Sequence, residues 1–332
     1  LWEPKNDDDK FEGPMRLREA LVESKNLVSV RLLDAIGVRY AREYATHFGF
    51  SLQQLPENLS FALGTASVSP LAMARGYAVF ANGGFLIDPY FIDRIVDRDG
   101  KEIYKAQPLL ACRDCPQRRI EDAREQAAAA NAKPGDAQPA KTALSTPPAA
   151  QAVAAAADPN AARLAPRVLD ARTAYLIGSI LHDVVRRGTG HDAMVLKRND
   201  LAGKTGSTND HRDAWFNGYN DDLVASVWVG FDDFSSLGRS NGVGEFGAQA
   251  ALPMWIEFMR TALKGVPEQP FEMPPGITTA RIDKATGQLA PAGDPNSMLE
   301  VFKVEDVARL AAGPNNATEE EKKVQQDAYG IF

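Results

Sequence analysis

Apolar residues recur at helical spacing through Leu17, Leu21, Val28, Leu32 and Ile36, which predicts helix over residues 15–36. The pattern breaks at Ser24-Lys25-Asn26. Asn26 suits the N-cap of a second helix, Leu27 to Ile36, which Gly37 ends. Between Leu71 and Ala81, the residues Leu71, Ala74, Ala78 and Ala81 share one helix face, and Met73, Tyr77 and Phe80 widen it. Ser69 is a natural N-cap there, Pro70 a natural first residue, and Gly83 suits the left-handed position beyond the end. The methionine and aromatic positions of this helix read as core, without a cofactor role. Val168 to Arg187 is amphipathic through Leu169, Ala174, Leu176, Ile177, Ile180, Leu181 and Val184. Gly188-Thr189-Gly190 closes it with a loop able to border a cleft. Ala248 to Leu263 is a further helix, with Leu252, Trp255, Ile256 and Met259 facing inward.

Strand patterns fill much of the remainder. Residues 91–96 and 102–104 flank Arg98-Asp99-Gly100-Lys101, a hairpin signal. The aromatic run 214–219 and the run 223–231 are joined by the turn Asn220-Asp221-Asp222. A strand carrying Lys204 to Thr208 begins this antiparallel meander. Ile277 to Ile282 and Gly287 to Leu289 read as a short hairpin, and Glu319 to Gln326 as a solvated helix or frayed tail. From 126 to 162 the chain is rich in alanine and proline and nearly lacks large apolar residues. Such a stretch buries too little surface to offset its ordering entropy. The expected organisation is a helical part with a hairpin over 1–105, a disordered surface insertion over 106–163, a strand and helix part over 164–275, and a C-terminal extension over 276–332. The pattern mixes helices with an antiparallel meander, a fold class of α/β of the α+β kind.

Composition narrows the function classes. Of 332 residues, 44% are hydrophobic and 24% charged, as in a globular protein. A formal net charge of −7 argues against nucleic acid as a partner. No apolar run approaches the roughly 20 residues that span a bilayer. The chain opens on Leu1, without an initiator methionine or a signal peptide. It is expected to be part of a longer polypeptide that carries any membrane anchor or export signal. The only cysteines, Cys112 and Cys115, favour a local disulfide or free thiols over a metal site, since no second pair exists. The four histidines lack ligand spacing, so neither a metal nor a cofactor is expected.

The chemistry concentrates in Leu201 to Asn209. Gly203-Lys204-Thr205 looks like the end of a phosphate-binding loop, but that motif needs a glycine where Arg198 stands and a helix where a strand follows. Along a strand, Lys204, Gly206 and Thr208 share one face, and Thr205 and Ser207 the other. Twist or a bulge is then needed to turn the lysine and the intervening hydroxyls to one ligand. A glycine here signals close approach of a ligand or backbone. Lys204-Thr205-Gly206 also matches the Lys-Thr-Gly element of penicillin-interacting serine enzymes. Their Ser-x-Asn element has a counterpart in Ser24-Lys25-Asn26, for which a plain turn and cap is the competing reading.

An ordered set of segments runs over nearly the whole chain: Arg16 to Asn26, Ala62 to Pro70, Arg75 to Gly84, Gly203 to Asn209, Asp213 to Tyr219, Pro274 to Ile277, and Ile282-Asp283. With these the chain resembles the transpeptidase domain of class A penicillin-binding proteins, nearest to the 1A type of Gram-negative bacteria. The resemblance implies the penicillin-binding, serine β-lactamase-like fold, an antiparallel central sheet flanked by helices, incomplete at the N-terminus, with the site between sheet edge and helical region. It implies D,D-transpeptidase acyl transfer on the D-Ala–D-Ala end of a peptidoglycan stem peptide, and trapping by β-lactams. Ser24 would relay a proton toward the leaving group, and Asn26 would donate to a substrate amide carbonyl. Lys204 would supply positive charge. Thr205 and Ser207 would bind the terminal carboxylate, with Gly206 and Thr208 completing the substrate strand, and the Ser207 N–H would serve the oxyanion hole. Location at the periplasmic face of the inner membrane, through an anchor outside this chain, and periplasmic regulators belong to the same implication. One departure stands out: no serine in the chain has a lysine three positions later. The family's Ser-x-x-Lys nucleophile is therefore expected upstream, in the longer polypeptide, and this chain alone is expected to be inactive. The other readings are a non-catalytic peptidoglycan-binding or scaffold module, and a carboxypeptidase or β-lactamase relative. Under the leading reading Ser24 and Asn26 lie beside Lys204 and Ser207.

Overall fold

The computed structural model describes residues 2–7, 9–113, 115, 163–208, 211–240, 243–244 and 246–312. The interrupted helical pattern near the start becomes two helices, α1 (Leu17–Val22) and α2 (Asn26–Ile36), followed by α3 (Val38–Ala45). Asn26 is not the cap of α2. It is the first helical residue, and the N-cap Lys25 makes no side-chain cap bond. The capping acceptor arrives from far away, as Asn6 Oδ1 accepts from the Leu27 N–H at 3.1 Å. Helix α4 (Pro70–Ala81) has the ends its sequence predicts, with the Ser69 hydroxyl accepting from the Ala72 N–H at 3.2 Å.

Strands β1 (Arg94–Val96) and β2 (Glu102–Lys105) form the expected hairpin, exposed along its length. Part of the expected insertion is tied down. The Leu110 N–H donates to the Arg163 carbonyl at 2.8 Å, and the Ala165 N–H to the Leu110 carbonyl at 2.9 Å. Cys112 and Cys115 are joined by a disulfide, with Cα atoms 5.8 Å apart. The alanine- and proline-rich stretch 126–162, Asn209 and the segment Glu319 to Gln326 lie outside the described residues.

Helix α5 (Ala171–Arg187) leads through a 3-10 turn into β3 (Ala202–Ser207), β4 (Asp213–Tyr219) and β5 (Val224–Gly230). These three pair antiparallel in the order β3-β4-β5, as a meander should. After two short pairing strands, β6 (Arg239–Ser240) and β7 (Val243–Gly244), comes helix α6 (Gly247–Ala262). The sheet lies between helices. Side chains alternate across a strand, so Phe216 and Gly218 face one way and Tyr219 the other. On the first face α6 packs on β4 and β5, with Trp255 edge-on to Phe216 at 4.9 Å between ring centres. On the second, Ala202 and Tyr219 meet Leu181 of α5 and Tyr77, Phe80 and Ala81 of α4.

The C-terminal hairpin departs from the sequence pattern. Strand β8 (Ile277–Asp283) pairs with β9 (Ser297–Lys303), from Ile277 opposite Lys303 to Asp283 opposite Ser297. Leu289, in the expected partner strand, makes only an isolated bridge to Ile282. The seven-residue ladder with 297–303 satisfies far more backbone groups than the short return at 287–289 could. Helix α7 (Val304–Ala312) closes the described chain. Among the described residues no helix is long and apolar enough to cross a membrane.

Candidate active site

The site is assembled where the end of α1, the end of α5 and the edge strand β3 converge. Helix α1 stops in a Schellman turn. The Lys25 N–H donates to the Ala20 carbonyl at 2.8 Å and the Ser24 N–H to the Leu21 carbonyl at 3.2 Å. Ser24 occupies the left-handed position of that turn, with φ of 58°. Glycine is the residue that fits there without strain. A serine held in this conformation is a strained residue of the kind that clusters at functional sites. Ser24→Gly should therefore raise stability, by about 0.5–1 kcal/mol after allowance for the added freedom of the unfolded chain, while removing the hydroxyl from the site. Urea unfolding measures the change, and a loss of stability would mean that the hydroxyl contacts outweigh the strain.

The hydroxyl has a specific destination. Lys204 Nζ donates to Ser24 Oγ at 2.7 Å, across 180 positions of sequence. The same ammonium donates to the Thr205 carbonyl at 3.0 Å, with Thr205 Oγ1 at 3.5 Å. Thr205 Oγ1 in turn shares a hydrogen bond with Thr189 Oγ1 at 2.7 Å. A continuous polar chain thus runs Ser24, Lys204, Thr205, Thr189. The register of β3 on β4 is even, without a bulge. The long lysine side chain, rather than a backbone irregularity, brings charge and hydroxyl together. Thr189 was not singled out from sequence; its signal was only the Gly188-Thr189-Gly190 loop. Gly188 explains the approach, since a Cβ there would lie 2.5 Å from the Val22 carbonyl oxygen. Glycine lets the end of α5 lie directly against the end of α1, and a longer residue would push Ser24 away from β3.

Burial pushes the Lys204 ammonium down to about 8. No carboxylate forms an ion pair with it among the described residues, so no opposite charge offsets the lost hydration. The folded value lies below the unfolded one, so above about pH 8 the fold has released a proton that the unfolded chain still holds. Stability should then rise with pH, by about 2 kcal/mol from about pH 7 to about pH 9.5. Above that window the Tyr77 and Tyr219 phenols, pushed up by burial, oppose the gain. Urea midpoints of the chain and of Lys204→Met measure it. The variant should lack this slope, and equal slopes would rule out a depressed lysine.

The other expected residues divide between the site and local structure. Ser207 Oγ accepts from the Gly247 N–H at 2.9 Å, at the start of α6. Gly247 is itself pressed on the strand, as a Cβ there would lie 2.5 Å from the Gly206 carbonyl oxygen and 2.4 Å from that of Trp215. Gly206 carries no positive φ and packs over the Trp215 Cβ. The Thr208 hydroxyl accepts from the N–H groups of Arg212 and Asp213 at 3.1 and 2.8 Å, closing the β3–β4 turn. Asn26 is engaged elsewhere, its Nδ2 donating to the Lys5 carbonyl at 3.0 Å. Of the pairs anticipated from sequence, the structure brings Ser24 to Lys204 and leaves Asn26 and Ser207 with other partners. Lys25, next to Ser24 in sequence, points away and pairs with Glu12 at 3.1 Å.

The family model described as the penicillin binding protein transpeptidase domain matches residues 2–233. The chain belongs to the penicillin-binding protein transpeptidase family. It is 47% identical over 306 residues to penicillin-binding protein 1A of Pseudomonas aeruginosa, covering 92% of this chain and 36% of that protein. It is 42% identical over 323 residues to penicillin-binding protein 1A of Escherichia coli K12, covering 91% of this chain and 38% of the relative. The crystal structure of penicillin-binding protein 1A from Haemophilus influenzae superposes with a TM-score of 0.73 at 36% identity, over 91% of this chain and 42% of that one. The chain therefore spans well under half the length of these relatives. The resemblance to the 1A type and the penicillin-binding fold, both expected from sequence, are borne out. The string Lys204-Thr205-Gly206 lies on β3, and Ser24-Lys25-Asn26 lies at the junction of α1 and α2.

Proposed function

We propose that this chain supplies the proton-relay and substrate-strand half of a serine D,D-transpeptidase that cross-links peptidoglycan and is a target of β-lactams. The observation that carries the reading is the 2.7 Å contact between Ser24 Oγ and Lys204 Nζ, with the Thr205 hydroxyl 3.5 Å from the same ammonium. The substrate is a stem peptide ending in D-Ala–D-Ala. Its terminal carboxylate meets the Thr205 and Ser207 hydroxyls, drawn there by the positive charge of Lys204. A serine from a Ser-x-x-Lys segment outside these residues attacks the penultimate carbonyl. The C–N bond breaks as Ser24, hydrogen-bonded to Lys204, delivers a proton to the departing D-Ala amine. The amine of a neighbouring stem peptide then takes the acyl group and frees the serine. The Ser207 N–H is assigned to the oxyanion, and Asn26 to a substrate amide once its side chain leaves the Lys5 carbonyl. Work on peptidoglycan puts the protein at the periplasmic face of the inner membrane, tethered by an anchor elsewhere in the polypeptide. Covalent labelling by penicillin tests the reading, in this chain and in the longer polypeptide with and without Lys204.

A further inference from the structure

Helix α1 is only six residues long, too short to hold Ser24 in place by itself. What holds it is a cluster of three arginines and three carboxylates drawn from three elements. Arg18 is 8% exposed, and its Nε lies 2.9 and 2.8 Å from the two carboxylate oxygens of Glu300 on β9. Arg18 also reaches Asp183 at 3.1 Å and Ser179 Oγ at 3.2 Å, both on α5. Arg16 donates to Oε2 of the same Glu300 carboxylate at 3.3 Å and to the Lys284 carbonyl at 3.2 Å. Glu19 closes the ring, paired with Arg16 at 2.7 Å and with Arg187 of α5 at 2.6 Å. The hydrogen bond from Arg187 holds the Glu19 carboxyl below its ordinary value. Glu300 is the one member contributed by the C-terminal hairpin, which lies beyond residues 2–233 of the family match.

We propose that Glu300 is a positioning residue for Ser24: its carboxylate, gripped by Arg16 and Arg18, fixes the rotation and depth of α1 so that Ser24 Oγ meets Lys204. The β8–β9 hairpin thereby becomes a working part of the site rather than a decorative extension. Two arginines on one carboxylate form an oriented, multidentate contact, and such a contact defines geometry better than a single ion pair. Neutralising Glu300 leaves two largely enclosed guanidinium groups without their shared partner, and α1 then keeps only its ties to α5, through Arg18 to Asp183 and Glu19 to Arg187, with nothing fixing it against β9. A shift near 1 Å suffices to break a hydrogen bond of 2.7 Å.

This inference rests on the reading of Ser24 and Lys204 as site residues, and two measurements separate the two failures. The first uses the 332-residue chain with ¹⁵N-labelled lysine, following the Lys204 ammonium through its titration by NMR. The wild-type midpoint is expected at about 8. Ser24→Ala sets the midpoint of a lysine without its hydroxyl partner. Glu300→Gln should move the midpoint at least half-way toward that reference. Arg281→Ala, which removes a hairpin contact to Ser297 without touching α1, should leave it at the wild-type value. A wild-type midpoint in Glu300→Gln, or an equal displacement in Arg281→Ala, overturns the proposal. If Glu300→Gln loses its cooperative thermal transition, Arg16→Gln, which leaves Arg18 on Glu300, carries the same comparison. The second measurement is penicillin acylation of the longer polypeptide, where Glu300→Gln should slow labelling by about 10- to 100-fold. If Lys204→Ala acylates there at the wild-type rate, the reading of the site fails, and the NMR arm still decides whether Glu300 sets the contact.

Discussion

Incubated with a labelled penicillin, the 332-residue chain should show no change in mass, while a longer polypeptide that adds a Ser-x-x-Lys segment should gain one adduct. Covalent trapping needs a nucleophile activated by an adjacent base or a lowered pKa. No serine here has a lysine three positions on. Ser24 touches Lys204, but that lysine also donates to the Thr205 carbonyl, with the Thr205 hydroxyl close by, and under the proposed reading the pair passes a proton rather than attacks. Lys25 is turned toward Glu12 and offers Ser24 no base. In the longer polypeptide Lys204→Ala should slow acylation by about 10²–10⁴, the range for a positioned proton-transfer group. Ser24→Ala should slow it less if water can enter as a substitute relay. A stoichiometric adduct on the 332-residue chain, mapped to Ser24, would make Ser24 the attacking group and overturn the assignment. A longer polypeptide that folds and stays unlabelled would favour a peptide-binding module without turnover.

Trp255→Ala should be the most destabilising single core change, by about 3–5 kcal/mol, which for a domain of this size lowers the thermal midpoint by on the order of ten degrees. Trp255 is fully buried and is the largest side chain so enclosed. It lies edge-on to Phe216, and its Nε1 donates to the Gly218 carbonyl at 3.4 Å. A Cβ on Gly218 would come 2.7 Å from the indole, so strand and ring are in direct contact. Leu201, Leu252 and Met259 complete the cluster, leaving little freedom to collapse into the space. The site should suffer too, since Phe216 stands opposite Thr205 in the sheet register. Phe91→Ala is the control: that ring is 86% exposed, and its loss should be nearly neutral. A similar loss from both changes would mean that the core does not centre on the α6–β4 contact.

The legible parts of this protein were those set by near neighbours in the chain. Helices α4, α5 and α6 follow from 3.6-residue periodicity with Ser69, Pro70 and Gly83 at the ends of the first. The β3-β4-β5 meander follows from alternation and one tight turn. The family followed from short ordered motifs, each a local string. Periodicity says which face of an element is buried and not what covers it. Tertiary structure alone put Asn6 rather than Asn26 on the end of α2, gave β8 its partner at 297–303 instead of 287–289, and drew Thr189 to Thr205. It also decided what Ser24 is. The sequence allows a plain turn or a site residue, and the structure shows a strained turn residue whose hydroxyl reaches a lysine 180 positions away. The depressed Lys204 and the grip of Glu300 on α1 arise the same way, from desolvation and from charges meeting across separate elements. Such partners are chosen by closure of long loops and by packing, whose free energies depend on the whole fold and leave no spacing in the sequence to read.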